Sequence, residues 1–330
     1  MQCSTEERKR QYQGGDEDKK TRRKRYVEAR KMTERIAGIM AMNQQKRIAE
    51  RMQQCGERLD GGICPQCRKW YSVSMDRACG HRLCPLCAMR RSRVIVAQSL
   101  AAVDYVAANE ARPYSLHMVT LTQRNVARGE LNNEVDALLE TVEHLRHRRS
   151  MRNGVIGSAR TIEITCNPGE RKQLVWHPHV HMIIMLHGQP ELATKAGWDA
   201  LWRDLRGLNY KPQIDVHHIM GTDAVYEVSK YVTKFGRLLD GLTDRQAAPL
   251  VDELERAVYK RRLMAWTGVW REAKRKLNQQ DVERMKSEEL DEVAQGCPDC
   301  GTDLMHAIMR WNGMDYLERM SGKKWQSKKR

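Results

Sequence analysis

The chain has 330 residues, 41% of them hydrophobic, with 58 Lys and Arg against 42 Asp and Glu, a formal charge of +16. That length holds one good-sized domain with one or two small ones, and the basic excess favours an anionic polymer, nucleic acid before a membrane surface. No apolar run reaches the length of a membrane span and the start lacks the apolar region of a secretory signal, so a cytoplasmic protein without a membrane partner is expected, and its ten cysteines argue for thiolate–metal sites rather than disulfides.

Residues 1–60 are highly charged, with a basic cluster from Lys19 to Arg25 and helix-compatible sequence from Val27 onward. They are expected to form a basic arm, mobile or helical, that touches phosphates. Residues 61–105 carry Cys64-Pro65-Gln66-Cys67 and Cys84-Pro85-Leu86-Cys87, sixteen residues apart, the spacing of a four-cysteine structural zinc site. Cys64, Cys67, Cys84 and Cys87 are the expected ligands. Cys79 and His81 are taken as non-ligands, with a swapped ligand or a second site shared with Cys55 as the alternatives. Arg68, Lys69, Arg82, Arg90, Arg91 and Arg93 lie around these cysteines and suit DNA contact.

A helix is expected from Ala88 to about Glu110, ending before Pro113, then a strand from Leu116 to Gln123. An amphipathic helix follows, with Val135, Leu138, Leu139, Val142 and Leu145 on one stripe. A strand from Arg160 to Cys166 leads through Asn167-Pro168-Gly169-Glu170 into the next strand as a hairpin.

That next strand is Trp176-His177-Pro178-His179-Val180-His181-Met182-Ile183-Ile184. Alternation places His177, His179 and His181 on one face and Pro178, Val180, Met182, Ile184 and Leu186 on the other, so the strand joins a core-facing surface to imidazoles aimed at a common point. A divalent metal is the simplest reason for such a pair. Glu163 is the expected third ligand: it faces away from Ile162 and Ile164, and a hairpin closing at 168–172 brings it within a residue or two of His177 or His179. His177 is the rival ligand, or it hydrogen-bonds DNA or the ligands themselves. A helix over about 193–205 buries Trp198, Leu201, Trp202 and Leu205, and a strand spans Gln213 to Ile219.

Val225 to Gly236 reads as a helix, capped at Gly221-Thr222-Asp223 and stopped by Gly236. Glu227 and Tyr231 lie a turn apart on one face, flanked by Lys230 and Lys234. Lys260 to Trp270 is expected as a last strand. Residues 276–330 form a charged tail with Cys297-Pro298-Asp299-Cys300, half a zinc ribbon for which His306 offers a third ligand and no fourth is evident nearby. Interleaved strands and helices with hairpin-like links indicate an α+β fold: a central antiparallel sheet with flanking helices over residues 106–275, preceded by the N-terminal zinc-binding segment.

Three segments together resemble the single-tyrosine plasmid rolling-circle replication initiators of the HUH endonuclease superfamily. They are Val119-Thr120-Leu121-Thr122-Gln123, His177-Pro178-His179-Val180-His181 and Glu227-Val228-Ser229-Lys230-Tyr231, in that order, and the resemblance covers about residues 60–275. It implies a nickase in which Tyr231 attacks a DNA phosphate and Glu227 acts as general base for the terminating cleavage; apart from the resemblance, Lys230 or Lys234 beside the tyrosine could lower its pKa and clamp the phosphate. His179, His181 and Glu163, with His177 as the alternative, would hold Mg2+ or Mn2+, while zinc is structural. Single-stranded or cruciform origin DNA, a host helicase and a DNA polymerase are the implied partners. The alternatives are a relaxase- or transposase-like nickase, or a non-catalytic zinc-ribbon DNA-binding regulator.

Overall fold

The computed structural model describes residues 20–168, 174–219, 239–276, 296–297 and 299–325. The helix expected to carry Tyr231, Glu227 and Lys230 lies outside them.

Two antiparallel sheets organise the described residues. The larger has the strand order β6-β3-β5-β4-β7, formed by β3 (Ser115–Leu121), β4 (Val155–Pro168), β5 (Leu174–Leu186), β6 (Ile214–Ile219) and β7 (Met264–Thr267). The long histidine strand β5 sits at its centre, between β3 and β4. Both faces of β5 are therefore buried. Val180, Met182, Ile184 and Leu186 join the main core, under helices that supply Val135, Leu138, Trp198, Trp202, Leu250 and Leu254. Ile183 and Met185 on the opposite face join a smaller core with Ala102, Val106, Trp270 and Ala273.

The helices are α1 (Lys20–Met42), α2 (Lys46–Gln53), α3 (Pro85–Asn109), α4 (Leu131–His147), α5 (Arg149–Gly154), α6 (Lys195–Arg206), α7 (Asp244–Val258) and α8 (Gly268–Lys276). The expected helix–strand order from residue 85 to residue 219 matches these elements, except for the short α5, which was not expected. Residues 264–270 differ from the expected strand: β7 stops at Thr267 and α8 starts at Gly268. Gly268 has φ +56 and approaches Ile156 so closely that a Cβ there would lie 2.0 Å from its carbonyl oxygen. Only glycine accommodates both the left-handed backbone and that approach.

The smaller sheet has the order β2-β1-β8-β9, from β1 (Arg58–Ile63), β2 (Trp70–Met75), β8 (Met305–Trp311) and β9 (Tyr316–Lys324). Residues 305–310 thus pair directly with residues 58–63, Leu59 opposite Met309 and Ile63 opposite Met305. Where the sequence suggested a charged tail, residues 305–324 are a β-hairpin with Ala307, Met309 and Tyr316 buried.

The described part of the N-terminal segment is likewise built in. In α1, Tyr26, Ile36, Ala37, Ile39 and Met40 are buried. Arg35 reaches Asp244 at 2.7 Å and the Leu239 carbonyl at 3.0 Å, fixing α1 to the start of α7. Buried Arg30 donates to the carbonyls of Gln53 and Cys55 at 2.6 and 2.8 Å, groups left over at the C-terminal end of α2, where a cation also suits the helix dipole. Among the described residues no helix is long and apolar enough to cross a membrane.

Candidate active site and metal centres

The site begins with strand register. Glu163 on β4 lies directly opposite His179 on β5, and Thr161 opposite His181. On the other side, Thr120 of β3 pairs with His181. Paired residues on antiparallel strands share a face, so Glu163, His179, His181 and Thr120 project together. The expectation that Glu163 would join the histidines depended on this register, and the structure brings the three together.

Both imidazoles converge on one carboxylate oxygen. Glu163 Oε2 is 2.9 Å from His179 Nε2 and 2.8 Å from His181 Nε2, and all three residues are buried. The far nitrogens are also engaged: His179 Nδ1 lies 3.0 Å from the His177 carbonyl oxygen and His181 Nδ1 3.1 Å from Thr120 Oγ1. A carbonyl only accepts, so His179 Nδ1 carries a proton and, in the neutral ring, Nε2 presents its lone pair towards Glu163. A lone pair facing a carboxylate is repulsive unless a second ring proton or a metal cation stands between them.

The spacing fits such a cation. Adjacent ligands in an octahedron with bonds of about 2.1 Å stand about 3.0 Å apart, close to the observed nitrogen–oxygen separations. One oxygen and two nitrogen donors suit a hard to borderline divalent ion. His177 is not part of the three-residue group. Its ring centroid is 5.1 Å from that of His179, and burial, followed by the charge of His179, holds its pKa below the ordinary histidine value. Of the expected residues, the structure assembles Glu163, His179 and His181, and sets His177 beside them.

The Thr-Leu-Thr segment contributes in three directions. Thr120 orients His181, Leu121 enters the core, and Thr122 donates to the Gln213 carbonyl at 2.6 Å, tying β3 to the start of β6.

The cysteines are paired differently from the expectation. Cys64, Cys67, Cys84 and Cys87 do not form one site. Cys84 and Cys87 group with Cys55 and Cys79, and Cys64 and Cys67 group with Cys297 and Cys300. Cys79, taken as a non-ligand from the sequence, is therefore a candidate ligand, and so is Cys55. His81 belongs to neither group and instead lies 3.8 Å from Glu255. The physical reason is the fold around each pair. Cys84 precedes α3 with Pro85 in its first turn; Cys55, just after α2, and Cys79, in the loop between β2 and α3, come against that helix start. Cys64 and Cys67 sit at the turn between β1 and β2, beside the strand pairing that returns the chain's end.

In the first group the Cys55–Cys87, Cys79–Cys87 and Cys55–Cys84 sulfur separations are each 3.6 Å. Backbone N–H groups of Cys79 and Gly80 point at Cys55 and Cys87 sulfurs at 3.4 and 3.3 Å. Four buried thiols in that geometry could hold one metal ion.

Several of the basic side chains expected to meet DNA are engaged within the fold. Arg82 donates to the Arg261 carbonyl at 2.7 Å, and Arg91 to the Arg82 and His81 carbonyls at 2.6 and 3.2 Å. Arg68 pairs with Glu318 at 2.8 Å and Lys69 with Asp299 at 3.1 Å. Arg90 is exposed.

No solved structure matches the chain. A Protein rep of Streptococcus pneumoniae serotype 2 is 25% identical over 270 residues, covering 76% of this chain and 79% of that protein. A Protein rep of Bacillus amyloliquefaciens is 29% identical over 276 residues, covering 75% of this chain and 79% of that protein. A Staphylococcus aureus Protein rep is 28% identical over 164 residues, covering 48% of this chain and 69% of that protein. The family model described as Replication protein matches residues 71–317, a span that takes in Thr120, Glu163, His179 and His181. The match extends over well more than half of the sequence, and the chain belongs to the Replication protein family.

Proposed function

We propose that this chain is a plasmid replication initiator of the cytoplasm that nicks one strand of origin DNA through a tyrosine nucleophile. The observation that carries the reading is the convergence of Glu163, His179 and His181 on one point within the span matched by the Replication protein family. Mg2+ or Mn2+ held by these three residues supplies Lewis-acid polarisation of the scissile phosphate.

The remaining roles fall to the chain's own groups. The hydroxyl of Tyr231 attacks phosphorus, the bond from phosphorus to the 3′ oxygen breaks, and a 5′-phosphotyrosine link forms. The departing oxygen takes up a proton and becomes a free 3′ hydroxyl that primes a DNA polymerase as a host helicase opens the duplex. A tyrosine hydroxyl ordinarily titrates near 10, so Lys230 favours the phenolate and pairs with the phosphate. Glu227, one turn before Tyr231 on the expected helix, is the general base for water in the terminating cleavage. These three assignments rest on the sequence motif and on family membership. Residues 106–275 act as the nicking unit, with His177 touching DNA or supporting the ligands. The basic excess supplies affinity for single-stranded or cruciform origin DNA. Zinc on Cys55, Cys79, Cys84 and Cys87 has a structural role, since four thiolates leave no open position.

The test is incubation of the purified chain with a pool of single-stranded oligonucleotides and Mn2+, followed by denaturing electrophoresis. A covalent protein–oligonucleotide band that requires the metal and is lost in Tyr231→Phe is the expected result. Wild-type protein that binds the same DNA tightly and never forms the adduct would overturn the reading and leave a non-catalytic DNA-binding regulator.

A further inference from the structure

We infer that the chain carries a second, separate zinc site, Cys64, Cys67, Cys297 and Cys300, which clasps the end of the described chain to the turn of its first hairpin. The inference does not depend on the nicking reading.

Sulfur geometry comes first. Cys64 and Cys300 sulfurs are 3.5 Å apart, those of Cys67 and Cys297 4.0 Å, and all four lie within 4.8 Å of one another. A tetrahedron with zinc–sulfur bonds of about 2.3 Å has edges of about 3.8 Å. A disulfide would bring a pair to about 2.05 Å. The observed spacing is that of four ligands around one ion.

Backbone geometry gives an independent second argument. Arg68 N donates to the Cys64 carbonyl at 2.9 Å, and Gly301 N to the Cys297 carbonyl at 2.8 Å. Cys64 N donates to the Lys69 carbonyl at 3.0 Å, and Cys297 N to the Thr302 carbonyl at 2.8 Å. The residue after each second cysteine is left-handed, Arg68 at φ +56 and Gly301 at φ +70. Two segments more than two hundred residues apart thus fold into the same knuckle and face each other. Arginine in that conformation is unfavourable by itself, and a knuckle held by an ion accounts for it. One backbone group supports the sulfurs directly: Cys67 N donates to Cys64 Sγ at 3.2 Å. A donor aimed at sulfur is what a coordinating thiolate requires.

The two sites differ in exposure. Cys55, Cys79, Cys84 and Cys87 are all buried, whereas Cys300 is exposed and Cys67 half-buried. The clasp ion is therefore the faster to exchange. Its binding converts thiols to thiolates with release of their protons to solvent.

Metal analysis of the full-length chain should find two zinc ions per molecule, and the Cys297→Ser, Cys300→Ser double variant one. Release to a chromogenic chelator should be biphasic in the wild type, with the fast half absent from the variant. A test on wild-type protein alone covers the case in which the variant fails to fold. Alkylation mapped by mass spectrometry should label Cys64, Cys67, Cys297 and Cys300 together after brief chelation, while Cys55, Cys79, Cys84 and Cys87 stay protected. One zinc in the wild type, iron in place of zinc, two zinc ions retained by a folded double variant, or labelling of Cys297 and Cys300 without Cys64 and Cys67 would each overturn the inference.

Discussion

At the scale of single residues, the candidate metal centre depends on groups outside its three ligand atoms. Thr120 holds the far nitrogen of His181, and the His177 carbonyl does the same for His179. Partners of this kind fix which nitrogen is free to coordinate, and losing one costs about 10–100-fold in metal affinity. Thr120→Val keeps the side-chain shape and removes the hydroxyl. It should weaken Mn2+ binding by that factor in a titration followed by electron paramagnetic resonance, with the thermal transition nearly unmoved. Unchanged affinity would mean that strand geometry alone orients His181. Another buried histidine makes a prediction about pH. His117 packs edge-on against His218 and lies 2.9 Å from Ser115 Oγ. Burial, then the charges of His218 and His217, hold its pKa below the ordinary value. The unfolded chain takes up this proton near pH 6.5 while the folded chain resists it, so the stability that His117 contributes is complete above about pH 6.5 and declines as the pH falls. His117→Gln should flatten the acid side of a melting-temperature profile relative to wild type. Parallel profiles would sink that assignment.

At the scale of elements, the site is a product of register. Glu163 reaches the histidines because β4 and β5 pair Glu163 with His179, and a one-residue slip would turn it into the opposite core. The histidine strand was legible in the sequence because a period of two is visible in it, with Val180, Met182 and Ile184 opposite His179 and His181. The helix Asp244–Val258 was not foreseen, although Thr243 and Gln246 form a capping box at its start and Pro249 lies inside it. A proline within the run masks the helical pattern when no neighbours are known. This helix also supplies a support that no local pattern reveals. Buried Glu253 accepts from the backbone N–H groups of Gly129 and Leu131 at 2.7 and 3.2 Å, at the start of α4, where unpaired donors and the helix dipole favour an anion. Glu253→Ala leaves the buried Leu131 donor unmet and should lower unfolding free energy by about 1–3 kcal/mol in urea titrations, with Glu253→Gln less harmful. Equal stability of the alanine variant would show that other groups satisfy the N–H donors.

At the scale of the whole molecule, the small sheet is made from both ends of the described chain and the larger sheet is threaded between them. β8 covers one edge of β1, and Tyr316 and Met309 fill the core beside Leu59. A chain ended at residue 276 would uncover that strand edge and its apolar neighbours, which invites association. Size-exclusion chromatography should show aggregates for this truncation, and a folded monomer would make the hairpin an accessory. By itself the sequence determined the α+β order from residue 85 to residue 219, the two-faced histidine strand, the two imidazoles and the presence of thiolate sites, because periodicity and Cys-x-x-Cys spacing are local properties that survive in one dimension. Only the tertiary structure decided which cysteines gather into one group and the register on which the expected place of Glu163 beside the histidines depended. The sixteen-residue gap between Cys67 and Cys84 suited one site, yet strand pairing carried Cys297 and Cys300 to Cys64 and Cys67, while the end of α2 and the loop between β2 and α3 brought Cys55 and Cys79 to Cys84 and Cys87. Coordination depends on distances of a few ångströms between residues far apart in the chain, and those distances exist only after the sheets have closed.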